Sequence, residues 1–259
     1  MSIPCGRVAL VTGAGRGIGR AIAVELGRAG VEVVAAARSE DELKSLVDEI
    51  GANGGSAAFV GVDLSDRAQT RALTDRAAEA FGPVDILVNN AGIGSSSDPR
   101  PFVEYRDEFW DLSIEINLHA PYVLSKAALP HMLAQGWGRI ITVASINSRL
   151  ASLHGSAYSA SKHGVLGLMR SIALEVASQG VTVNCICPGP VRTKMNDLRM
   201  EYDADRLGRD FSEHEKVQTP IGGRLEPEDI APMASYLAGE EARMVTGQAY
   251  NIDGGINMA

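Results

Sequence analysis

The sequence predicts one doubly wound α/β domain, in which helices cover both faces of a seven-stranded parallel sheet. Short apolar segments rich in β-branched residues alternate with longer helical patterns along most of the 259 residues, as in repeated βαβ units. No linker, internal repeat or low-complexity tract interrupts this alternation. Because α/β folds of about 250 residues are commonly single domains, we assign residues 1–259 to one domain.

Seven segments are predicted to be strands, because each is short, apolar and followed by turn residues or a helical pattern. They are Val8–Val11, Val31–Ala36, Ala57–Val62, Ile86–Val88, Arg139–Val143, Val181–Ile186 and Ala249–Ile252. Six helical patterns separate or follow them, each long enough to cross over between parallel strands. They are Gly17–Ala29, Asp41–Ile50, Arg67–Phe81, Asp107–Leu133, Ala157–Ser178 and Pro227–Leu237.

The segment 191–223 departs from the alternation, since it is long and rich in charged residues and methionine. A connection of this length in a compact domain is usually functional or partly disordered. It follows the carboxyl end of a predicted strand, which is where ligands of open α/β sheets bind. We therefore predict that this segment forms a lid over a substrate.

Composition excludes several classes of protein. The chain has 24 Lys and Arg against 32 Asp and Glu, a formal charge of −8, and no basic run that would suit a nucleic acid. It lacks both a secretory signal and an apolar run of about 18–20 residues, so we expect a cytoplasmic protein with no membrane partner. Cys185 and Cys187 would share one face of a strand, and no histidine cluster accompanies them. Neither a disulfide nor a metal site is predicted.

A glycine-rich turn, TGAGRGIG at residues 12–19, follows the first predicted strand and leads into a helical pattern. Free backbone N–H groups and the positive end of the helix dipole would favour an anionic pyrophosphate at this point. The turn does not match the common G-x-G-x-x-G pattern, because Ile18 and Arg20 stand where its last glycine would fall. A tight turn that needs glycine only for its backbone geometry is the alternative.

Further motifs follow the glycine-rich turn in a fixed order. Asn89-Asn90-Ala91-Gly92, Ser145, Tyr158-x-x-x-Lys162 and Pro188-Gly189 stand at spacings that resemble the classical short-chain dehydrogenase/reductase family. The resemblance covers the chain from Arg7 to Gly255. It implies a Rossmann-type fold and hydride transfer between a nicotinamide and a carbonyl or secondary alcohol. Within the family, the chain looks most like 3-oxoacyl-thioester (acyl-carrier-protein) reductases and polyketide ketoreductases.

The cofactor is predicted to be NADP(H), with NAD(H) as the other possibility. An acid at the end of the second strand would bind the ribose 2′-hydroxyl of NAD(H), but Ala37 stands there, followed by Arg38. An arginine near this position accommodates the 2′-phosphate of NADP(H) instead. Arg16 could approach the same phosphate as Arg38, although both arginines could instead be exposed surface groups. The cofactor contacts implied by the resemblance are Gly13, Gly15, Arg16, Gly17, Ile18, Gly19, Arg38, Asp63, Leu64, Asn90, Ala91, Gly92, Tyr158, Lys162, Pro188, Gly189, Val191 and Thr193.

Tyr158 and Lys162 are the predicted centre of the chemistry. Four residues apart in a helical pattern, they share one face, where the ammonium and a positive nicotinamide would lower the phenol pKa from about 10. An ordinary amphipathic pair is the alternative. Ser145 ends the fifth predicted strand and could donate to a substrate carbonyl. The resemblance adds Asn117 as the holder of a water that relays protons to Lys162. Substrate contacts are predicted at Ser145, Asn147, Leu153, His154 and Tyr158.

The predicted function is therefore NADP(H)-dependent hydride transfer to or from a small-molecule carbonyl or alcohol, with a 3-oxoacyl thioester or similar ketone as substrate. Polyol or sugar dehydrogenases use nearly the same scaffold and are the alternative. A non-catalytic dinucleotide-binding regulator is less favoured, because the catalytic tetrad is complete. The resemblance also implies a homotetramer, and apolar residues cover more of the helix Ala157–Ser178 than the stripe of about 100° that one sheet face buries. They are Val165, Leu166, Leu168, Met169, Ile172, Leu174 and Val176.

Overall fold

The computed structural model describes residues 2–258 and confirms the predicted fold class. Seven parallel strands form one sheet in the order β3-β2-β1-β4-β5-β6-β7. The strand order reverses between β1 and β4, so a crevice opens beyond the carboxyl ends of these strands. The strands are β1 Val8–Thr12, β2 Glu32–Ala37, β3 Ala57–Gly61, β4 Ile86–Asn89, β5 Gly138–Val143, β6 Val181–Pro188 and β7 Ala249–Ile252.

Helices cover both faces of this sheet. Along β1, Ala9 and Val11 pack into an apolar cluster with α1, α2 and α9, whereas Val8 and Leu10 point to the opposite cluster with α3, α5 and α6. This alternation buries the central strands on both faces, as a parallel sheet requires. The helices are α1 Gly17–Arg28, α2 Glu40–Ala52, α3 Arg67–Phe81, α4 Asp107–Ile114, α5 Ala120–Gln135, α6 Ser156–Val176, α7 Lys194–Leu207, α8 Phe211–Lys216 and α9 Pro227–Ala238.

The predicted helix Asp107–Leu133 is not regular along its length. A π-helical turn, Glu115–His119, separates α4 from α5. A π turn occupies a single turn inside a longer helix, which is too short to stand out in a periodicity that extends over the whole segment. The irregularity contains Asn117, one of the predicted catalytic residues.

The predicted lid is helical and its two stems are joined. It contains α7 and α8, whose charged sequences lack the apolar period that marks a core-facing helix. At the base of the segment, Val191 and Leu225 form a parallel bridge. The Arg192 N–H donates to the Leu225 carbonyl at 2.8 Å, and the Leu225 N–H donates to the Pro190 carbonyl at 2.9 Å. The two ends of the segment are therefore hydrogen-bonded to each other beside β6.

Helix α6 does not carry the broad second apolar face that we predicted for it. Of the seven apolar residues, Leu174 is 84% exposed. The other six are buried in, or packed against, the cluster beneath α6, and they are Val165, Leu166, Leu168, Met169, Ile172 and Val176. Together with α4 and the π turn, the neighbouring α5 packs against α6. These neighbours bury a wider part of the α6 surface than one sheet face would cover.

The structure also bears on membrane spans, metal sites and cysteines. No helix within residues 2–258 is long and apolar enough to cross a membrane. Over the same residues, no group of three or more His, Cys, Asp or Glu side chains is placed to hold a metal ion. Cys185 and Cys187 are buried as free thiols on one face of β6.

Candidate active site

One cavity of about 1120 Å³ extends from the glycine-rich turn, past the carboxyl ends of the central strands, to α7. Most of the predicted cofactor, catalytic and substrate residues line it. Three do not, namely Gly19, Asn117 and His154. Sequence positions as far apart as Gly13 and Thr193 thus meet in one cleft at the place where the strand order reverses.

The glycine-rich turn is shaped to bring backbone close to a ligand. Gly13 and Gly17 have φ angles of 64° and 57°, which favour glycine. A Cβ atom on Gly13 would lie 2.8 Å from the Ala91 Cα, and one on Gly19 would collide with the Gly13 carbonyl oxygen. Arg16 is the N-cap of α1 and makes no side-chain capping bond, so the first N–H groups of α1 stay open toward the cavity. This cradle fits a pyrophosphate.

The Asn-Asn-Ala-Gly motif after β4 supports this turn. The Asn90 amide nitrogen donates to the Thr12 carbonyl at 2.9 Å and to the Gly13 carbonyl at 3.2 Å. In return, the Thr12 hydroxyl oxygen accepts from the N–H groups of Asn90 and Ala91, at 3.0 and 3.1 Å. Although Asn90 and Ala91 line the cavity, the amide group of Asn90 serves to hold the glycine-rich turn in place.

The end of the cavity beside β2 and β3 carries the predicted adenosine contacts. Arg38 is exposed, lines the cavity and forms no ion pair with any residue of 2–258. Arg16 lies 3.3 Å from Glu42, measured from Nη1 to Oε1. One oxygen of the Asp63 carboxylate accepts from both the N–H and the hydroxyl of Ser65, at 2.9 and 2.8 Å. Glu42 also lines the cavity and was missed, although its spacing from Ser39 is that of a capping box.

Ser145, Tyr158 and Lys162 meet at the centre of the cavity. Ser145 follows β5, and its side chain is hydrogen-bonded to the Tyr158 hydroxyl. Lys162, one turn after Tyr158 on α6, donates to the Val143 carbonyl at 2.9 Å and lies 5.8 Å from the centre of the Tyr158 ring. The β5 end and α6 thus bring together three of the four predicted catalytic side chains.

The fourth predicted catalytic residue acts differently. The Asn117 side chain lies outside the cavity lining and binds the backbone of Ile93, accepting from its N–H at 2.9 Å and donating to its carbonyl at 3.0 Å. Asn117 also donates to the Ser161 hydroxyl at 3.0 Å. Both N–H donors of the Asn117 amide are thus engaged within the protein, and the role of Asn117 in holding a water stays a prediction.

Burial is the main cause of the pKa shifts of Lys162 and Tyr158. Burial lowers the pKa of Lys162 to about 8, against the opposing effect of the Cys187 and Cys185 thiols. Burial also raises the pKa of Tyr158, which the hydrogen bond from Ser145 partly offsets. The sequence predicts a lowered phenol pKa from the Lys162 ammonium together with a positive nicotinamide; with the protein's own groups alone, burial leaves the pKa of Tyr158 raised. The phenol therefore keeps its proton at neutral pH and can act as an acid.

Three segments meet at the far end of the cavity, around α7. The Arg199 guanidinium donates to the Ser95 hydroxyl at 3.1 Å and to the Leu153 carbonyl at 2.9 Å. The His154 Nδ1 lies 2.6 Å from the Tyr202 hydroxyl. We call these contacts of Arg199 and Tyr202 the α7 latch. His154 was predicted to contact substrate, but the structure places its imidazole against Tyr202, outside the cavity lining.

Of the residues on this end of the cavity, Asn147 and Leu153 were predicted as substrate contacts, and the sequence analysis missed the others. Leu153, Met195 and Leu198 line it and are each 39–55% exposed, so they give its mouth an apolar rim. Polar residues line the same end of the cavity, and they are Ser95, Ser96, Ser97, Asn147 and Ser152. No spacing in the sequence relates the loop after β4 to α7, so their meeting is visible only in three dimensions.

Comparison with known proteins agrees with this arrangement. A family model described as short chain dehydrogenase matches residues 7–203. The 3-oxoacyl-[acyl-carrier-protein] reductase FabG of Escherichia coli (strain K12) is 38% identical over 253 residues, 98% of each chain. A solved structure of a variant actinorhodin polyketide ketoreductase with NADPH has a TM-score of 0.92 and 38% identity, over 98% of each chain. A Beutenbergia cavernae protein with bound NADP, described as an NAD(P)-dependent gluconate 5-dehydrogenase, has a TM-score of 0.87 and 41% identity, over 97% of each chain.

Proposed function

Since the chain belongs to the short-chain dehydrogenase/reductase family, whose members are oxidoreductases, we propose that it reduces a ketone with NADPH and that its substrate is a 3-oxoacyl thioester or a similar ketone. The observation that carries the proposal is the meeting of Ser145, Tyr158 and Lys162 in the cavity that also contains the glycine-rich turn. The reaction runs reversibly, so the same residues would serve oxidation of the alcohol.

The cleft fits NADP(H). The open N–H groups of α1 suit the pyrophosphate, and Arg16 and Arg38 line the cavity near Ala37, the position at which an acid would otherwise select NAD(H). Two similar structures carry NADP or NADPH, and they are the ketoreductase and the gluconate 5-dehydrogenase named above. A bound nicotinamide would supply the hydride, and Pro188, Gly189 and Thr193 line the cavity where they could hold its ring.

The protein's own groups would supply and place the proton. The phenol of Tyr158 is protonated at neutral pH, and it can donate to the carbonyl oxygen as charge develops on that oxygen. Ser145 would donate a second hydrogen bond to that oxygen. Lys162 lies behind Tyr158 on α6, where its ammonium can bind ribose hydroxyls and stabilise a tyrosinate after the proton has left.

The apolar rim supports an acyl substrate. Leu153, Met195 and Leu198 offer a surface along which an alkyl or polyketide chain could lie once its carbonyl reaches Tyr158. The serines that line the same end of the cavity, together with the similarity to a gluconate 5-dehydrogenase, support the second candidate, a polyol or sugar dehydrogenase. The two candidates share the chemistry at Tyr158 and differ in what the far end of the cavity binds.

A panel of substrates tests the proposal. Oxidation of NADPH would be followed at 340 nm with 3-oxoacyl thioesters, cyclic ketones, keto-sugars and, in the reverse direction, polyols with NADP⁺. We expect the highest kcat/KM with a 3-oxoacyl thioester or a cyclic ketone. A higher kcat/KM for keto-sugars or polyols would replace the first candidate by the second. Absence of turnover across the panel would contradict both.

Three further expectations belong to this proposal. We propose that α7 and α8 act as a lid, supported by their joined stems and by the α7 latch. We propose a homotetramer, supported by exposed apolar side chains such as Leu174 and Phe102. The cytoplasmic location stays a prediction.

A further inference from the structure

Glu42 holds an unusual position beside the cofactor end of the cavity. Its carboxylate lies over the glycine-rich turn, so a Cβ atom on Gly15 would come within 2.7 Å of Oε2. The other oxygen, Oε1, pairs with Arg16 Nη1 at 3.3 Å. Both side chains line the cavity and are partly exposed, 61% for Arg16 and 37% for Glu42. A carboxylate thus holds one of the two arginines that we assign to the 2′-phosphate.

The sequence around Glu42 would lead one to expect a different contact. Ser39 is the N-cap of α2 and Glu42 stands three residues later, which is the spacing of a capping box. In that motif the glutamate reaches back to the N-cap N–H, but here its carboxylate pairs with Arg16. The Ser39 side chain makes no capping bond, and its residue lines the cavity beside Arg38. Glu42 therefore contacts Arg16, which we assign to the 2′-phosphate, and not the N-terminus of its own helix.

We propose that Glu42 is a specificity-determining residue that weakens the preference for NADPH over NADH by competing with the 2′-phosphate for Arg16. This inference rests on the proposed NADP(H) dependence. When the phosphate binds, Arg16 must leave Glu42, and the carboxylate stays close to a second negative group. NADH carries no phosphate, so its binding leaves the Arg16–Glu42 pair intact. Glu42 thus penalises one cofactor and not the other.

The size of the effect follows from the exposure of the pair. An exposed ion pair is worth a factor of up to about 5 in an equilibrium constant. Repulsion between the Glu42 carboxylate and the phosphate adds to this factor and is reduced by salt. For Glu42→Gln we therefore expect NADPH to bind about 3–10-fold more tightly at low ionic strength, while NADH affinity stays within about 2-fold.

The test is a fluorescence titration of NADPH and NADH against the unmodified protein, Glu42→Gln and Asp41→Asn. Asp41→Asn is the matched control, because it removes one negative charge from the same turn of α2. The Asp41 side chain is fully exposed and does not line the cavity. We expect Asp41→Asn to leave both affinities nearly unchanged. Arg16→Ala, alone and combined with Glu42→Gln, completes the set. Without Arg16 the competition disappears and only the salt-screened repulsion between Glu42 and the phosphate remains, so the gain from Glu42→Gln should fall to about 2-fold or less and vanish as the salt concentration is raised.

The outcomes separate this inference from the proposed function. Equal binding of NADPH and NADH by the unmodified protein, with no effect of Arg16→Ala, would overturn the cofactor assignment and this inference with it. A preference for NADPH that Arg16→Ala abolishes, together with identical titrations for Glu42→Gln and Asp41→Asn, would overturn the inference alone. Weaker NADH binding by Glu42→Gln would make Glu42 a ribose ligand, which also overturns it.

Discussion

Replacing Lys162 by methionine should remove activity and change how the stability of the protein depends on pH. The ammonium is nearly fully buried, with 5% of the residue exposed, and burial lowers its pKa from 10.5 to about 8. Because the folded protein holds this proton less tightly than the unfolded chain does, the group destabilises the fold most below about pH 8. The penalty is relieved as the pH rises from 8 toward 10.5.

The magnitude follows from the displacement of this pKa. Each pKa unit corresponds to about 1.4 kcal/mol, so a displacement of roughly 2.5 units places about 3 kcal/mol on the charged, buried Lys162. Integration of the proton linkage gives relief of about 2 kcal/mol between roughly pH 7 and pH 9.5. Methionine has a similar length and no charge. It loses the hydrogen bond to the Val143 carbonyl, but that loss is the same at both pH values to a first approximation.

The assay is urea unfolding of both proteins without cofactor at about pH 7 and pH 9.5, at one protein concentration. Relative to the unmodified protein, Lys162→Met should lose about 2 kcal/mol of stability on going to the higher pH. Lys44→Met is the matched control, because the Lys44 side chain is 56% exposed on α2, and its relative stability should barely change with pH. A stability difference between Lys162→Met and the unmodified protein that does not vary with pH would refute the reasoning.

Three other predictions concern the lid, the cofactor and the assembly. Arg199→Ala removes two contacts of the α7 latch, so the KM for ketone should rise about 5–30-fold while NADPH affinity in a fluorescence titration stays unchanged; an unchanged KM would show that the latch does not shape the substrate site. Ala37→Asp combined with Arg38→Ala adds an acceptor for ribose hydroxyls and removes a cation, so the ratio of NADPH to NADH affinity should fall below one. A ratio that stays above one would remove Arg38 from the selection of NADPH. Sedimentation should show a homotetramer at micromolar concentration that Leu174→Lys weakens. A stable, active monomer of the unmodified protein would contradict it.

The sequence was sufficient to predict the sheet and the chemistry at its carboxyl edge, for a physical reason. Strands such as Val8–Thr12 are buried on both faces, so their apolar pattern is continuous and easily read. Tyr158 and Lys162 lie one helical turn apart, and this local spacing fixes their geometry relative to each other. Features that depend on residues close together in the chain can therefore be predicted from the sequence.

The remaining features depend on contacts between distant segments. The π turn at Glu115–His119 is a single turn within a longer helical segment, so the pattern of that segment predicted one regular helix. The His154 imidazole is placed by Tyr202, 48 residues away, and its position outside the cavity lining has no local signature. Glu42 was recognisable only as a possible helix cap, and its pairing with Arg16 depends on how the turn after β1 meets α2.

The burial of Tyr158 and Lys162 was also beyond prediction from motifs. The adjacent ammonium suggested a lowered phenol pKa, but burial raises the pKa of Tyr158. Desolvation depends on every segment that encloses the cavity, whereas a motif records only which charges are neighbours. For reduction the difference matters, because a raised pKa makes the phenol a weaker proton donor, so the transfer depends on the negative charge that develops on the substrate oxygen and on the Lys162 ammonium to stabilise the tyrosinate.

The central claim is that Tyr158 donates a proton to a ketone as hydride arrives from NADPH. It is tested most directly by single-turnover stopped-flow measurement of NADPH oxidation in the unmodified protein and in Tyr158→Phe, with the best ketone from the panel. Phenylalanine keeps the ring and removes the hydroxyl hydrogen-bonded to Ser145. We predict that hydride transfer slows by about 10²–10⁴-fold while NADPH affinity stays within about 2-fold. Hydride transfer at an undiminished rate in Tyr158→Phe would contradict the account.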